Sequence, residues 1–398
     1  MKKWIMLFSV CLLFNTGCRK EPSADEKRLD LALTALKNSF WPNGDTRYQI
    51  NLITNEDASP GPYAIRLILP GKTLAQIAYE TGDKSLLPYV KRNFVWGENE
   101  SRYIQKGLCF NSDESGATAV MLMMEMFYEK ASGDLEYAHL KKPILRCLRE
   151  TYFNKDYGFR EVLTKNEPHP FYDGEVWLAL AFYADFFPED VKTVDWIKAV
   201  DDILIRSYRK KTDEVWRFFH WGAQAAAQRY KTTKDPKFLD FLKYMFATIQ
   251  RDMPVENIVG NMNSCTYSEG LADLIDVVED PDIREAALER FARQVDGVRG
   301  LQILSTTLPD GSRMHPFAEP FVGLFYNIHG DYDVLPDTAQ HCVAALSKAI
   351  RSKPYQQWLK KNRKSKVESV PVPQTDTAPE QVKAPVVDEE KPEEKDKK

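Results

Sequence analysis

The sequence has no excess of charge of one sign. Its 398 residues carry 54 lysines and arginines against 58 aspartates and glutamates, which gives a formal net charge of -4. A nucleic-acid partner is therefore not expected, because no basic excess is available to neutralise phosphates. The hydrophobic content of 43% and the aromatic content of 12% are those of a folded globular protein.

The motifs of several enzyme classes are also missing. The sequence contains no GxGxxG, no phosphate-binding GxxxxGK[ST] loop and no GxSxG nucleophile turn. Nucleotide-dependent transfer and esterase-like hydrolysis are therefore unsupported, and no cofactor is predicted. The segment KNEPHPFYDGEVW groups Glu167, His169, Asp173 and Glu175, but it has no HExxH-like arrangement, so no metal site is predicted.

The body of the chain holds four cysteines, and none of them forms a CxxC pair. Their separations of 38, 118 and 77 residues match no zinc-ligand spacing. An exported protein could pair them, but Cys147 and Cys342 lie in apolar helical stretches, where free buried thiols are expected. No disulfide is therefore predicted among Cys109, Cys147, Cys265 and Cys342.

The N-terminus combines a charged start, an apolar run and a cysteine. Lys2 and Lys3 precede apolar residues 4–14, a run too short for a permanent transmembrane helix of roughly 20 residues. The small residues before Cys18 resemble a bacterial lipoprotein signal. The resemblance implies that residues 1–17 are removed and that Cys18 carries a lipid. That lipid would anchor the protein to a membrane of the bacterial cell envelope, on its periplasmic face or at the cell surface. An ordinary signal peptide cleaved nearby is the alternative.

The two ends of the chain flank one predicted domain. Residues 18–27 are predicted to form a short tether, and residues 28–365 carry the helical patterns described below. Residues 366–398 contain five prolines, many charges and no aromatic residue. Such a segment cannot bury enough apolar surface to offset the entropy of ordering, so a disordered tail is predicted. The tail could space the domain from an envelope protein partner.

A unit of two helices recurs along the body of the chain. Each unit has a glycine, an apolar helix, a charged or Gly-Asp stop and a second helix, with small and apolar residues at helical spacing. The glycines are 45, 58, 48 and 48 residues apart: Gly71, Gly116, Gly174, Gly222 and Gly270. A sixth segment, which starts at Asp337, has the same pattern without the glycine. Helix pairs that repeat at roughly 50 residues indicate a repeat architecture.

The number and the period of these units favour a closed ring. Six unequal pairs with long connections predict an all-α fold, an (α/α)6 toroid, and an open helical solenoid is the alternative. In repeat number, period and connections, about residues 28–352 resemble the six-hairpin glycosidase-like superfamily. That superfamily includes unsaturated glucuronyl hydrolases and N-acylglucosamine 2-epimerases. The resemblance therefore implies a carbohydrate-active protein with its site in the funnel of the toroid.

Polar residues gather near the starts of the predicted inner helices. If those helices begin at the repeat glycines, the polar side chains face one end of the funnel and converge on one cleft. Glycine would allow a helix start to approach a ligand or a neighbouring backbone without a Cβ. The set is Asp113, Glu114, Tyr172, Asp173, Glu175, His220, Trp221, Gln224, Tyr267, Glu269, Asp337, Gln340 and His341.

Carboxylates in such a cleft suit glycoside cleavage, which needs one protonated acid and one ionised carboxylate about 5 Å or about 6.5–9.5 Å apart. The candidate catalytic pairs are Glu175 with Glu269 and Asp173 with Glu269. Substrate contacts, including flat faces for sugar stacking, are predicted at Tyr172, Trp177, Trp221, Gln224, Tyr267, Asp337 and Gln340. The alternative for each carboxylate is helix capping, since an acidic side chain near a helix N-terminus stabilises its free N–H groups.

Two histidines offer a second mechanism. His220 and His341 lie near the starts of the fourth and sixth units, and an imidazole transfers protons near neutral pH. Their positions resemble those of the acid/base histidines in the N-acylglucosamine 2-epimerase group, which implies a sugar epimerase. The flanking segments HWGAQAA and DTAQHCVAAL depart from the motifs of that group. The alternative for each is a hydrogen-bonded core histidine.

These patterns predict a carbohydrate-active lipoprotein of the cell envelope that cleaves or modifies a glycan in the funnel. They leave open whether the protein is an enzyme. One alternative is a non-catalytic envelope scaffold that binds a glycan or a protein. The other is the epimerase that uses His220 and His341.

Overall fold

The computed structural model describes residues 21–57, 64–112 and 114–363. The predicted signal peptide, Cys18 and the predicted tail lie outside the described residues, and so does Asp113. No helix in the described ranges combines the length and the apolarity needed to cross a membrane.

Thirteen α-helices occur in the described ranges, and alternate ones form an inner ring. The inner helices are α2 (Ile65–Thr81), α4 (Ser115–Ser132), α6 (Pro170–Phe186), α8 (Val215–Thr233), α10 (Asn263–Val277) and α12 (Pro336–Arg351). Each inner helix packs against the next, and the last packs against the first. The ring is therefore closed, which confirms the predicted all-α toroid over the open solenoid.

A second layer of helices surrounds the ring. Each of the first five inner helices packs against the helix that follows it, and α1 packs against α12 as the outer helix of the sixth pair. The outer helices are α1 (Ala24–Asn38), α3 (Leu87–Asn99), α5 (Lys141–Cys147), α7 (Val191–Lys210), α9 (Pro236–Asp252) and α11 (Pro281–Leu301), and α13 (Lys353–Arg363) follows α12. The compact unit that contains the ring ends at Trp358. A second unit begins at Leu359, and its described residues are the end of α13.

Short antiparallel ribbons lie in the connections that lead into the inner helices. Within the described residues these are β1 (Ile50–Asn51) with β6 (Asp333–Val334), β2 (Ser101–Ile104) with β3 (Gly107–Phe110), and β4 (Phe153–Asn154) with β5 (Gly158–Phe159). They precede α2, α4, α6 and α12. The long connections therefore surround the mouth formed by the N-terminal ends of the inner helices.

The repeat glycines do not start the inner helices, as the sequence pattern suggested. They lie inside the helices, one to seven residues after the first helical residue. A Cβ on Gly174 would lie 2.7 Å from the Cβ of Trp221, and a Cβ on Gly270 would lie 3.1 Å from the Cβ of Ala223. The glycines are therefore required because they let neighbouring inner helices approach closely.

The four cysteines of the ring domain are paired, so the expectation of free buried thiols was wrong. Cys109 in β3 is bonded to Cys147 in α5, and Cys265 in α10 is bonded to Cys342 in α12. An apolar helical stretch buries a cysteine, but only the tertiary packing places a second cysteine beside it. The bridges close loops of 38 and 77 residues, which restricts the unfolded chain.

We expect Gly174→Ala to lower the free energy of unfolding by about 1–3 kcal/mol, because the new methyl group overpacks the contact with Trp221. Gly300→Ala in α11 is the matched control, since its Cβ would meet no atom within 4 Å. The control should leave stability unchanged or raise it by up to about 1 kcal/mol, as expected for alanine in a helix. Urea unfolding measures both. Equal stability of the two variants would contradict the close-packing role of Gly174.

Candidate active site

Ionisable and aromatic side chains from the six inner helices and their N-terminal flanks come together inside the ring. All of them are at most 8% exposed. We call this set the inner-ring cluster: Lys72, Glu114, Tyr172, Glu175, His220, Trp221, Glu269, Asp337, Gln340 and His341. Only ring closure makes them neighbours, since they are spread over 270 positions of the sequence.

A single carboxylate oxygen joins the two histidines. Oε1 of Glu269 lies 3.1 Å from Nε2 of His220 and 2.7 Å from Nδ1 of His341. The two imidazole rings meet edge to face with their centroids 4.6 Å apart. Three inner helices, α8, α10 and α12, therefore converge on one oxygen atom.

The protonation of this group follows from its surroundings. Burial raises the pKa of Glu269, but its interaction with His220 and the hydrogen bonds from both imidazoles outweigh this and hold the pKa well below its usual range. Burial lowers the pKa of His220 to about 4, against the attraction of Glu269. An ionised Glu269 only accepts hydrogen bonds, so Nε2 of His220 and Nδ1 of His341 both donate. Nε2 is the other ring nitrogen of His341, and it faces Asp337.

Trp221 connects the histidines to a buried cation and a buried acid. Its ring stacks on His220 with centroids 4.2 Å apart, and Nζ of Lys72 lies 5.0 Å from the centroid of its ring. Burial lowers the pKa of Lys72 to about 8, although the charge of Glu269 opposes this. The Trp221 side chain also lies beside Glu175 and opposes the rise of its pKa. A flat face, an ammonium group and a carboxyl group thus lie side by side.

Glu175 is held in an environment that favours its protonated form. Burial raises its pKa well above the usual range, and the neighbouring carboxylates of Glu114 and Asp337 reinforce the shift. Glu114 accepts hydrogen bonds from the hydroxyl groups of Tyr172 and Ser112, each at 2.9 Å. Burial also raises the pKa of Glu114, against these hydrogen bonds. Glu175 is therefore suited to the role of a proton donor.

Helix α12 supplies three members of the cluster within about one turn: Asp337, Gln340 and His341. Oδ1 of Asp337 lies 3.9 Å from Nε2 of His341, and Oδ2 lies 3.6 Å from Nε of Arg66. Oε1 of Gln340 accepts a hydrogen bond of 2.5 Å from the hydroxyl group of Thr73. These contacts tie the N-terminal half of α12 to α2.

Four buried polar atoms of the cluster have no hydrogen-bond partner among the described residues. They are Nζ of Lys72, Oε2 of Glu175, Oδ1 of Asp337 and Nε2 of Gln340. A buried polar atom without a partner costs about 1–3 kcal/mol, so four in one place are unusual for a purely structural core. They offer donors and acceptors from three helices to a ligand with several polar groups.

Two of the predicted site residues are structural. Asp173 accepts hydrogen bonds from the N–H of Phe159 at 2.8 Å and from the hydroxyl group of Tyr208 at 2.7 Å. Burial raises its pKa to about 7, against these two bonds. Trp177 is fully buried, and its Nε1 donates to Asp201 at 2.7 Å. The structure does not bring either residue to the cluster, because both contact the outer layer.

The polar side-chain atoms of Tyr267 and Gln224 are engaged in other contacts, among them a hydrogen bond of 3.1 Å from Nε2 of Gln224 to the carbonyl of His220. The hydroxyl group of Tyr267 donates to the carbonyl of Trp216 at 3.0 Å, and its ring packs on Phe219. Oε1 of Gln224 accepts from Nζ of Lys348 at 2.6 Å, one helical turn beyond His220. With these interactions formed, neither side chain is free to contact a ligand in the cluster. Of the predicted set, the structure brings together Tyr172, Glu175, His220, Trp221, Glu269, Asp337, Gln340 and His341.

The sequence reasoning overlooked Lys72 and gave Glu114 no role. Lys72 directly follows Gly71, as Glu175 directly follows Gly174, so the repeat itself carried the signal. A lysine within the otherwise apolar start of an inner helix was the clue. Glu114 was among the polar residues near helix starts, but nothing in the sequence tied it to Tyr172.

The two histidines and Glu269 are also a donor set that could hold a transition-metal ion, with their three donor atoms within 4.8 Å of one another. The same atoms lie at hydrogen-bond distance, which the ionised carboxylate explains without a metal. The geometry therefore supports a proton-transfer group built from His220, Glu269 and His341.

We expect Lys72→Met to raise the free energy of unfolding at neutral pH, because methionine has a similar volume and buries no unpaired charge. The lowering of the Lys72 pKa from 10.5 to about 8 means that burying the charged side chain costs roughly 3 kcal/mol of folding stability. The substitution removes this cost. The charged form destabilises the folded protein below pH 8, and this penalty fades as the pH rises from 8 to 10.5. Urea unfolding at pH 7 and pH 10 should show that the gain shrinks at the higher pH.

Lys192→Met, which removes an exposed charge from α7, is the matched control and should change stability little at either pH. A gain at Lys72 that did not depend on pH would contradict the buried, unpaired ammonium group.

The sequence matches no family model and no curated protein sequence. Solved structures do resemble the fold. An α-1,6-mannanase of Salegentibacter sp. HEL1_6, an inactive variant in complex with α-1,6-mannotetrose, has a TM-score of 0.61 and 11% identity over 82% of this chain and 98% of that chain. An unsaturated glucuronyl hydrolase specific for heparin has a TM-score of 0.57 and 15% identity over 84% of this chain and 97% of that chain.

A D-mannose isomerase has a TM-score of 0.58 and 11% identity over 83% of this chain and all 100% of that chain. The TM-scores establish the fold, whereas identities this low leave the activity open. The helix ring and these structural neighbours together show that the chain has the six-hairpin glycosidase-like (α/α)6 toroid fold.

Proposed function

We propose that this protein is a carbohydrate-active enzyme that cleaves or modifies a glycan bound at the inner-ring cluster. The proposal rests on the four buried polar atoms without a partner, on Lys72, Glu175, Asp337 and Gln340, and on the ring face of Trp221, over which Nζ of Lys72 lies. A sugar presents hydroxyl groups that both donate and accept, together with an apolar ring face. It is therefore the class of ligand that satisfies such a lining best.

Glu175 is the proposed general acid. Burial and two neighbouring carboxylates favour its protonated form, so it is able to donate a proton to a leaving oxygen. A glycosidase also needs an ionised carboxylate. Oε1 of Glu269 is already shared by two imidazoles, so its proposed role is to orient them. Asp337 then supplies the second carboxylate, since its Oδ1 is unpartnered.

We place a water molecule or a substrate hydroxyl group between Asp337 and His341 as the group that attacks. Oδ1 of Asp337 and Nε2 of His341 are 3.9 Å apart, so one oxygen atom at about 2.8 Å from each would lie within hydrogen-bond distance of both. Removal of its proton by either group would activate it for attack. The proposed reaction is therefore acid–base hydrolysis with Glu175 as the acid and Asp337 with His341 as the base.

The structural neighbours support the substrate class. The mannanase is described in complex with α-1,6-mannotetrose, the hydrolase is specific for heparin, and the third neighbour is a mannose isomerase. All three act on carbohydrates, by different reactions. They therefore favour a sugar ligand without favouring one bond.

A sugar isomerase or epimerase is the second candidate, and the His220–Glu269–His341 group favours it. Two imidazoles fixed by one carboxylate could remove a proton from a sugar carbon and return it to another position or face. The two candidates differ in one observable. Isomerisation through a proton transfer incorporates solvent deuterium at carbon, whereas hydrolysis leaves the carbon-bound protons in place.

The test is incubation of the protein in D2O with mannose and mannan oligosaccharides, followed by NMR. For a hydrolase, we expect new reducing ends without deuterium at carbon, and Glu175→Gln should reduce the rate by about a hundredfold or more. Glu269→Gln should also lose turnover because a neutral amide replaces the ionised carboxylate that both imidazoles share. Glu189→Gln, at an exposed position, is the matched control and should keep full activity.

Deuterium at carbon that depends on both His220 and His341 would establish the isomerase instead. A sugar that raises the thermal transition of the protein without being converted would favour the non-catalytic scaffold. Full turnover in both Glu175→Gln and Glu269→Gln would overturn the proposed assignment of the site.

We also propose that the protein is exported and anchored to the cell envelope through a lipid on Cys18. Two disulfides in the ring domain support export, because such bonds persist in oxidising compartments. We expect Cys18→Ala to abolish the incorporation of a labelled fatty acid and to release the protein from the membrane fraction. Cys11→Ala, within the apolar run, is the matched control and should keep both properties. Unchanged labelling of the Cys18→Ala variant would contradict the anchor.

A further inference from the structure

The contact between Glu269 and His341 depends on the packing of α10 against α12. Cys265 precedes Glu269 by one helical turn on α10, and Cys342 directly follows His341 on α12. The disulfide between these cysteines is fully buried, with its Cα atoms 4.5 Å apart. A covalent bond therefore joins the two helices at the level where the 2.7 Å hydrogen bond forms.

Polar contacts continue along the same two helices on the other side of the site. Nζ of Lys348 in α12 donates to the carbonyl of Glu269 at 3.2 Å and lies 2.6 Å from Oδ2 of Asp273. Farther on, Oγ of Ser352 donates to Asp276 at 3.2 Å. The hydrogen bond between Glu269 and His341 thus lies between a covalent bond and a buried ion pair.

We propose that the Cys265–Cys342 disulfide is a positioning element of the site, which holds Glu269 and His341 at hydrogen-bond distance and so orients both imidazoles. Two helices joined only by side-chain contacts can slide by fractions of an ångström. A displacement of about 1 Å at a reacting group reduces rates by about a hundredfold. The covalent link removes this freedom where Glu269 must meet His341.

The compartment in which this disulfide forms also determines where the site is assembled. Structural disulfides form outside the reducing cytoplasm. The positioned histidine pair would then exist only after export, and the reduced chain would fold as a ring with a weakened site. The activity part of this inference rests on the proposed function, whereas the geometry of His341 is measurable without any substrate.

The second disulfide provides a matched control within the same chain. Cys109 and Cys147 join β3 to the outer helix α5, and neither cysteine lies on a helix that carries Glu269 or a histidine of the cluster. Its removal frees a loop of 38 residues, against 77 for the other bridge. Both changes lower stability, because each loop-closing bond restricts the unfolded chain. Only the Cys265–Cys342 bond joins the helices that carry Glu269 and His341.

The experiment compares Cys265→Ala/Cys342→Ala with Cys109→Ala/Cys147→Ala by NMR of histidine-labelled protein. The signal of interest is the Nδ1 proton of His341 bonded to Glu269, assigned by its loss in His341→Gln. We expect the first double variant to lose or broaden this proton and the second to retain it. With a converted sugar in hand, kcat should fall by about a hundredfold in the first variant only.

A second measurement uses the unmodified sequence in case the first variant does not fold. Dithiothreitol supplies two electrons and two protons, so that the Cys265–Cys342 bond becomes two thiols while the reagent closes to its cyclic disulfide. Mass spectrometry after thiol alkylation identifies which bond has opened. Loss of the His341 proton should follow the opening of Cys265–Cys342 and not that of Cys109–Cys147.

The proposal is overturned if the His341 proton persists with the Cys265–Cys342 bond open. It is equally overturned if both double variants lose the proton to the same extent, because the disulfides would then act only through global stability. If no sugar is converted by the unmodified protein, the proposed function fails, but the NMR comparison still decides the positioning role.

Discussion

Closure of the inner ring is the constraint on which the rest of the structure depends. Each inner helix is packed between two inner neighbours and an outer layer, so its residues are buried on nearly every side. Glycines at the closest approaches, such as Gly174 against Trp221, make this packing sterically possible. Any ionisable residue near the start of an inner helix is consequently taken out of water, and its charge state depends on its neighbours.

The buried ionisable groups of the ring are of two kinds. Some are fully paired, as in the buried ion pair in which Nη2 of Arg229 lies 2.7 Å from Asp201, and these stabilise the scaffold. Others are left with unpartnered atoms, as at Lys72 and Glu175, which is unfavourable for stability in the absence of a ligand. This opposition between stability and an open polar lining is typical of functional sites. The proposed site therefore lies at the N-terminal halves of the inner helices, where these unpartnered atoms are found.

The structure brings some of the predicted site residues together and separates others for a common reason. Asp173 and Glu175 flank the same glycine and carry the same chemical signal, yet they lie on different sides of α6. Glu175 reaches the inner ring, whereas Asp173 binds Tyr208 of the outer layer. Trp177 and Trp221 differ in the same way, since one donates to Asp201 and the other stacks on His220. A shift of two residues along a helix is enough to exchange such sides, and the repeat glycines misplaced the helix starts by up to seven residues.

The sequence by itself determined the helical class, the number of hairpins and the segments whose polar residues approach the ring. These properties depend on periodicity and on residue spacing along the chain, which are local quantities. Tertiary structure alone decided that one oxygen of Glu269 joins two histidines, that Lys72 lies over Trp221 and that the four cysteines are paired. Such contacts link residues tens to hundreds of positions apart. Their distances are set by how the helices pack around the closed ring, which no local pattern encodes.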